Sequence, residues 1–221
     1  MLFRSQGFLA PKALNLASAG ELNGARICVQ TGTASQANLA DYFKARGLKY
    51  REVLVTDDAQ ARDKYQNDGC DAFTADVSAL ASSRSVMNSP GAHVILPEVI
   101  SKEPLGPVVR QEDPVWADIV RWSVYATMVA EELKVTARNV ADQRASSVDP
   151  RIRRLLGVEG GLGPMLGLNA DWAYQIIRQV GAYDEIFRRN VGDGSSLKLG
   201  RGLNALWNAP QPGLLYPPPI R

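Results

Sequence analysis

The junction after the apolar run at residues 25–30 is the first place where this chain could bind a charged ligand. Residues 31–35 (TGTAS) follow that run and precede a helical pattern at Leu39, Tyr42 and Phe43. The unpaired N–H groups and the dipole at a helix start favour an anion, and a glycine lets a ligand approach the backbone closely. Threonine and serine are also common helix caps, so an ordinary cap accounts for the same residues.

Asp76 is the second residue whose position suggests chemistry. It follows a predicted strand at residues 70–75. Ligands of open α/β sheets bind beyond the carboxyl ends of the strands, so this carboxylate could hold an ammonium group while the loop around Gly32 holds a carboxylate. Asp76 could equally cap the helix that follows, and the two roles are compatible.

The cysteines and the histidine offer little catalytic potential. Cys28 and Cys70 lie on the first and third predicted strands, which are neighbours in a 2-1-3 strand order, so a disulfide is geometrically possible in an oxidising compartment. Buried free thiols are the alternative. His93 is expected in a solvated loop and is assigned no role. Two cysteines and one histidine are too few for the usual zinc site, so neither a metal nor a cofactor is predicted.

These candidate residues depend on a β-rich first half of the chain. Short apolar runs alternate there with helical stretches, which predicts βαβ units and a parallel sheet. The four predicted strands are residues 25–30, 50–55, 70–75 and 94–96.

Beyond Asp113 and Pro114 the pattern is mainly helical. Asp113 is predicted to cap a long helix, with Pro114 in its first turn. Five predicted helices and a proline-rich, extended tail fill this half: residues 114–134, 136–144, 149–156, 169–180 and 183–191, with the tail at 210–221. Such pieces form either a small bundle or half of a domain whose sheet lies elsewhere.

Composition excludes several classes of protein. With 45% apolar and 22% charged residues, the 221-residue chain is neither disordered nor fibrous. A net charge of +2 gives no general attraction to nucleic acid, and no apolar window is long enough for membrane insertion. The first ten residues contain no sustained apolar stretch, so a signal peptide is not expected. Nucleophile elbows, paired catalytic carboxylates and metal-ligand spacings are missing, so the chain is not predicted to be an enzyme.

Long literal runs carry a resemblance to a known family. They include residues 28–33 (CVQTGT), 93–111 (HVILPEVISKEPLGPVVRQ) and 202–208 (GLNALWN). With these runs, nearly everything after Ser5 resembles the general L-amino-acid-binding periplasmic proteins, the solute-binding subunits of polar-amino-acid ABC importers. Residues 1–5 match no pattern of that family.

The resemblance implies an α/β, periplasmic-binding-protein-like fold of type II with two lobes. Residues 1–11 would be the first crossing between lobes, 12–97 a complete α/β second lobe with a parallel-type sheet, and 98–107 the second crossing. Residues 108–221 would be the mostly helical remainder of an incomplete first lobe. The family is periplasmic and works with an ABC permease, whereas a chain made without a signal peptide would stay in the cytoplasm.

The resemblance also implies a ligand site. Thr31, Gly32, Thr33 and Ala34 would surround the α-carboxylate of an L-amino acid, and Asp76 would bind its ammonium group. Ala34 stands where relatives often carry threonine. The family portion before the first crossing usually supplies an arginine that clamps the carboxylate and an aromatic cover. Binding is therefore expected to be weak or lost.

Self-association is the alternative function. The later helices are expected to present apolar side chains to a sheet outside this chain, which favours a homodimer with no transport role or with a new site at its interface. The residues concerned are Trp116, Ile119, Trp122, Ile176 and Phe187.

Enzyme activity is the hypothesis that the sequence supports least. Certain amino-acid-precursor dehydratases share the fold, but they need a general acid, and no additional carboxylate beside Asp76 is evident from the sequence.

Overall fold

A computed structural model describes the backbone of residues 2–220 and the side chains of residues 5–220. Met1 and Arg221, the outer ends of the predicted first crossing and of the predicted tail, lie outside the described residues. The chain forms two compact units. Of the described residues, one comprises Leu2–Leu105 with Ser196–Leu199, and the other comprises Gly106–Ser195 with residues 200–220.

The first unit contains seven strands and three α-helices within the described residues. Its strands are β1 (Leu2–Arg4), β2 (Gln6–Pro11), β3 (Arg26–Gln30), β4 (Arg51–Val55), β5 (Ala72–Asp76), β6 (His93–Ile95) and β7 (Glu103–Leu105). Its helices are α1 (Ala34–Ala45), α2 (Asp58–Gln66) and α3 (Val77–Ser85), with short 3-10 turns at Lys12–Leu14, Ala19–Leu22 and Pro90–Ala92.

Five of these strands form one sheet in the order β4-β3-β5-β2-β6. Strand β3 pairs in parallel with both β4 and β5, because α1 follows β3 and α2 follows β4, and each helix returns the chain to the edge of the sheet where the preceding strand began. Strand β2 runs antiparallel to its neighbours β5 and β6. Strands β1 and β7 form a separate antiparallel pair.

The α/β prediction for this part of the chain is confirmed, and all four predicted strands are found as β3, β4, β5 and β6. Residues 6–11, assigned from the sequence to a crossing, form β2 inside the sheet. The loop prediction for His93 is wrong. This residue begins β6, and its Nδ1 lies 2.9 Å from the hydroxyl of Tyr65. Burial lowers the pKa of His93, and the nearby charge of Arg84 acts in the same direction.

The central strands β2, β3 and β5 are buried on both faces of the sheet, whereas the edge strand β4 is largely exposed. Phe8 packs with Tyr42 and Phe43 on one face, while Leu9 and Phe73 belong to the cluster on the other. Cys28 on β3 and Cys70 just before β5 form a disulfide with their Cα atoms 5.7 Å apart. The bond therefore links β3 to the segment that leads into its parallel neighbour β5.

The second unit is helical within its described residues. Its helices are α4 (Pro114–Glu132), α5 (Val140–Ser146), α6 (Pro150–Leu155), α7 (Leu162–Met165), α8 (Trp172–Val180) and α9 (Tyr183–Asn190), followed by a 3-10 turn at Gly202–Asn204. The predicted start of the long helix is confirmed, because the Asp113 carboxylate accepts a hydrogen bond from the backbone N–H of Trp116 at 2.9 Å. Helix α7 lies between the predicted helices at residues 149–156 and 169–180 and was not predicted.

The tail of the second unit packs against its core. Leu215 and Ile220 are buried, and Ile220 belongs to the same apolar cluster as Val129 on α4 and Ile177 on α8. The predicted tail therefore lies over a surface, as expected from its proline-rich sequence.

The expected exposure of apolar side chains holds only in part. Trp116 is 52% exposed. Ile119, Trp122 and Ile176 are partly buried against the core of the second unit. The expectation is wrong for Phe187, which is buried, with the Arg201 guanidinium 5.2 Å from its ring centroid. A side chain from the following loop covers this ring, so the ring needs no sheet from outside the chain.

Arg201 also holds that loop to α4. Its Nη2 lies 2.9 Å and 3.0 Å from the two carboxylate oxygens of Glu131, and its guanidinium lies 5.4 Å from the ring centroid of Tyr183. Burial raises the pKa of Glu131, and the Arg201 charge opposes that rise. The pair is mostly shielded from water, because the side chain of Arg201 is only 26% exposed and that of Glu131 only 15% exposed. Each charge therefore depends on the other.

Arg201→Met should destabilise the second unit by about 2 to 3 kcal/mol, because it leaves Glu131 buried without its cation and removes two cation–π contacts. Urea unfolding followed by tryptophan emission measures the loss. Arg121→Met is the matched control. It breaks the exposed pair with Asp118 and should cost less than about 0.5 kcal/mol. Equal losses in the two variants would contradict the assignment.

Candidate functional site

A cavity of about 230 Å³ lies in the first unit, beyond the carboxyl ends of β3 and β5. Parallel strands end at the same edge of a sheet, so the residues that follow them converge there. The lining residues are Gln30, Thr33, Ala34, Ser35, Asp58, Ala75, Asp76, Ala79 and Glu103.

The first turn of α1 forms one wall of this cavity. Thr33 occupies the N-cap position, yet its hydroxyl makes no capping bond and instead donates to the carbonyl oxygen of Gln30 at 2.8 Å. The Thr33 hydroxyl therefore does not accept a hydrogen bond from the backbone of α1. Ala34 and Ser35 begin the helix beside it, where backbone N–H groups and the helix dipole favour a negative charge.

Thr31 and Gly32 are placed differently from the predicted site residues that follow them. The N–H of Thr31 donates to the carbonyl oxygen of Val55 at 3.0 Å, which continues the sheet ladder. The N–H of Gly32 donates to the side-chain oxygen of Gln36 at 2.9 Å. The structure thus brings Thr33, Ala34 and Asp76 together around the cavity, and it does not place Thr31 or Gly32 among the lining residues.

Asp76 ends β5 and occupies the N-cap position of α3. Its side chain makes no capping hydrogen bond to that helix. The capping role that the sequence left open is therefore not seen for this side chain, which lines the cavity.

Two further carboxylates line the same cavity. Asp58 begins α2, and burial raises its pKa, assisted by the neighbouring charge of Asp57. Glu103 lies on β7 and accepts a hydrogen bond from the Ser101 hydroxyl at 2.9 Å. The expectation of no additional carboxylate beside Asp76 is therefore wrong.

The sequence could have indicated one of these two carboxylates as a cavity residue. Asp58 follows β4 at the same sheet edge, so the strand-end rule that identified Asp76 also applies to it. Glu103 carries no such signal, because it lies in a segment assigned to a crossing.

The charge of the lining is one-sided. Asp58, Asp76 and Glu103 are acidic, and no lysine or arginine is among the lining residues that the structure describes. Such an acidic lining favours an ammonium group, whereas an anion would find only backbone N–H groups and hydroxyls as partners.

The described residues contain no cluster of histidine, cysteine, aspartate and glutamate that could hold a metal ion. Nor does any described helix combine the length and apolarity needed to cross a membrane.

Gln6, on β2, connects the segments that form the walls of the cavity through hydrogen bonds. It is fully buried, and its amide nitrogen donates to the Ser35 carbonyl oxygen at 2.8 Å and to the Thr74 hydroxyl at 3.0 Å. Its backbone N–H donates to the Ser101 hydroxyl at 2.8 Å. The network joins α1, β5 and the segment that carries Glu103, so buried and partly buried hydrogen bonds help to hold the cavity in shape.

Comparison with known proteins finds long, closely similar relatives. The glutamate/glutamine/aspartate/asparagine-binding protein BztA of Rhodobacter capsulatus is 50% identical over 219 residues, covering 99% of this chain and 64% of the relative. The general L-amino acid-binding periplasmic protein AapJ of Rhizobium johnstonii is 50% identical over 221 residues, with the same coverage. The chain thus spans 64% of the length of these curated relatives. No family model matches it.

A solved structure agrees along nearly the whole chain. The ABC transporter periplasmic binding protein from Brucella ovis, with glutathione bound, superposes with a TM-score of 0.88 at 46% sequence identity. The match covers 99% of this chain and 68% of the other.

Proposed function

The chain belongs to the periplasmic binding proteins of ABC transporters, and on that premise we propose that it is an L-amino-acid-binding protein that serves an ABC importer. The family resemblance and the predicted fold class are confirmed, and relatives of this kind are binding proteins rather than enzymes. The family is periplasmic, and we infer the same location and an ABC permease partner for this chain.

A single observation carries the proposal. The acidic side chain of Asp76 and the first turn of α1 lie on the same cavity of about 230 Å³. An α-amino acid presents an ammonium group and a carboxylate on one carbon. Asp76 suits the ammonium group, and the N–H groups near Thr33 and Ala34 suit the carboxylate.

The ligands named for the relatives share this head group. BztA is named for glutamate, glutamine, aspartate and asparagine, and the Brucella ovis protein holds glutathione. Glutathione keeps a free α-ammonium and α-carboxylate on its γ-glutamyl end. We infer that the cavity recognises the head group and leaves the rest of the ligand to other contacts.

Binding by this 221-residue chain is expected to be weak. The cavity lining contains no guanidinium among the described residues, so the α-carboxylate lacks a bidentate charged partner. We expect a Kd of about 1 mM for L-glutamine. Micromolar or tighter binding would contradict this part of the proposal.

Ligand analogues test the head-group assignment. L-glutamine is titrated by saturation-transfer NMR beside 4-aminobutanamide, which lacks the α-carboxylate, and glutaramic acid, which lacks the ammonium group. Each analogue should bind at least about tenfold more weakly, because each loses one charged hydrogen-bonded contact. Saturable competition by glutathione is also expected. Equal binding of L-glutamine and both analogues, or no saturable binding of L-glutamine, would refute the proposal.

An exposed apolar surface favours the second candidate function, self-association. Val108 is 96% exposed beside a groove of about 240 Å³ whose lining is mainly apolar, including Val120 and Val124 of α4, with Arg121 as its charged member. Trp116 is exposed on the same helix. We propose a second copy of this chain as the occupant, because an isologous contact covers such a surface on both copies at once.

Sedimentation velocity over two orders of magnitude in concentration tests self-association. The wild-type chain should convert from monomer to dimer as concentration rises, and Trp116→Asp should shift this conversion to higher concentration. Trp207→Asp, outside the groove, is the matched control. A monomer at every concentration would refute the second candidate.

A further inference from the structure

A cavity of about 350 Å³ lies wholly within the second unit, and the proposed amino-acid site does not use it. Its apolar part is formed by Val129 and Leu133 of α4 and by Ile220 of the tail. The volume falls at the lower end of the range of small-molecule sites, roughly 300 to 1,000 Å³, and is too small for a folded element of a partner protein.

Two aromatic rings stand at the rim of this cavity. Trp207 and Tyr216 have ring centroids 5.4 Å apart with an interplanar angle of 67°. They remain 46% and 72% exposed, so burial within the unit does not account for their position. Large aromatic side chains that pair edge to face while exposed offer a surface on which another ring can stack.

The backbone that carries these rings is fixed. The N–H of Trp207 donates to the Leu215 carbonyl oxygen at 3.0 Å, and the N–H of Leu215 donates to the Ala205 carbonyl oxygen at 3.1 Å. Gly213 allows this approach, because a Cβ there would lie 2.2 Å from the Ala205 carbonyl oxygen. The aromatic rim is therefore preorganised, which lowers the entropic cost of binding a ligand.

Three charged side chains also line the cavity: Glu132 of α4 and two arginines of α6, Arg151 and Arg154. Asp149 and, to a lesser extent, Glu132 raise the pKa of Arg151, so the negative charge of Glu132 acts on that arginine. The two arginines differ in availability. Arg151 is occupied by Asp149, whose carboxylate oxygen lies 2.6 Å from its Nη2 and whose pKa this contact lowers to about 2. The Nε of Arg154 makes only a long hydrogen bond, 3.4 Å, to the Ile220 carbonyl oxygen. Among the described residues, no carboxylate forms an ion pair with Arg154, so its terminal amino groups can bind an anion.

We propose that this cavity is a second ligand site, which binds a small aromatic carboxylate. The ring packs against Trp207 and Tyr216 over the aliphatic floor, and the carboxylate binds the guanidinium of Arg154. A ring with a short acidic arm satisfies the volume, the aromatic rim and the single available cation together. This site is chemically distinct from the acidic cavity around Asp76.

Phenylacetate is the probe for the full chain, and phenylacetamide is its neutral counterpart. Addition of phenylacetate should produce a saturable shift of the Trp207 indole N–H signal, assigned by its absence in Trp207→Phe. Phenylacetamide should bind at least about tenfold more weakly, because it loses the charged contact with Arg154. Both affinities are measured on the wild-type chain, and Trp207→Phe serves only to assign the signal.

Variants test the two parts of the site separately. Arg154→Gln should weaken phenylacetate binding at least about tenfold, and Tyr216→Ala about fivefold. Arg138→Gln and Trp116→Phe, outside the cavity, are the matched controls and should leave the affinity unchanged. The proposal is overturned if phenylacetate gives no saturable shift, if phenylacetamide binds as tightly, or if Arg154→Gln retains full affinity in a folded chain.

Discussion

Asp76→Asn should weaken the binding of L-glutamine by about ten- to a hundredfold at neutral pH. The substitution keeps the size of the side chain but removes the negative charge that faces the ligand's ammonium group, and a hydrogen bond to a charged group contributes about 1.5 to 3 kcal/mol. Saturation-transfer NMR or calorimetry with the 221-residue chain measures the change in Kd.

Two controls separate the loss of this contact from a general change in charge. Asp63→Asn removes a carboxylate from an exposed position on α2 and should leave the affinity unchanged. Asp58→Asn removes a second carboxylate of the same cavity and should have an intermediate effect, because it lowers the local negative charge without removing the direct partner. If Asp76→Asn binds L-glutamine as tightly as the wild type, Asp76 is not the ammonium partner.

Loss of the Cys28–Cys70 disulfide should lower the free energy of unfolding of the first unit by about 4 kcal/mol. The cysteines are 42 residues apart in sequence, and closing a loop of that length removes much conformational freedom from the unfolded chain. Urea unfolding followed by far-UV circular dichroism, with and without dithiothreitol, measures the loss. The Cys28→Ala/Cys70→Ala variant provides the same comparison without a reductant.

The same change should loosen the cavity, because β3 and β5 carry Gln30 and Asp76 at their carboxyl ends. Hydrogen exchange measured by mass spectrometry should show faster exchange in peptides from these two strands. Peptides from α8 in the second unit are the internal reference and should be unchanged. Unaltered exchange in β3 and β5 after complete reduction would contradict the stabilising role of the bond.

Much of the fold is predictable because its elements carry local signals. The apolar runs of β3, β4, β5 and β6 are bounded by turn residues, and α4 begins at an aspartate followed by a proline. Helix α7 escaped prediction because its four residues lie in a stretch rich in glycine, where the local pattern indicates a loop.

The position of β2 could not be derived in the same way. Its residues are apolar and extended, which fits a crossing segment or a strand equally well. Its place between β5 and β6 depends on partners such as Thr74, which lies opposite Phe8 although the two are far apart in the chain. The burial of Phe187 likewise depends on Arg201, which comes from a later loop.

Some residues of the candidate site carry a local sequence signal, and others do not. Thr33, Ala34 and Asp76 were predicted, together with Thr31 and Gly32, from the family resemblance and from their positions at or shortly after the ends of two predicted strands. Glu103 reaches the same cavity from a different segment of the chain, β7, whose residues pair with β1 rather than with the main sheet.

By itself, the sequence determined the family, the α/β character of the first unit and the helical character of the second, and it selected Asp76 as the candidate ammonium partner. Each of these rests on neighbouring residues or on long literal runs. Only the tertiary structure decided that three carboxylates share one cavity, that Gln6 connects its walls, and that Trp207 and Tyr216 stand beside Arg154. The physical reason is that periodicity and capping are local, whereas these groupings arise from packing between segments that are distant in the chain.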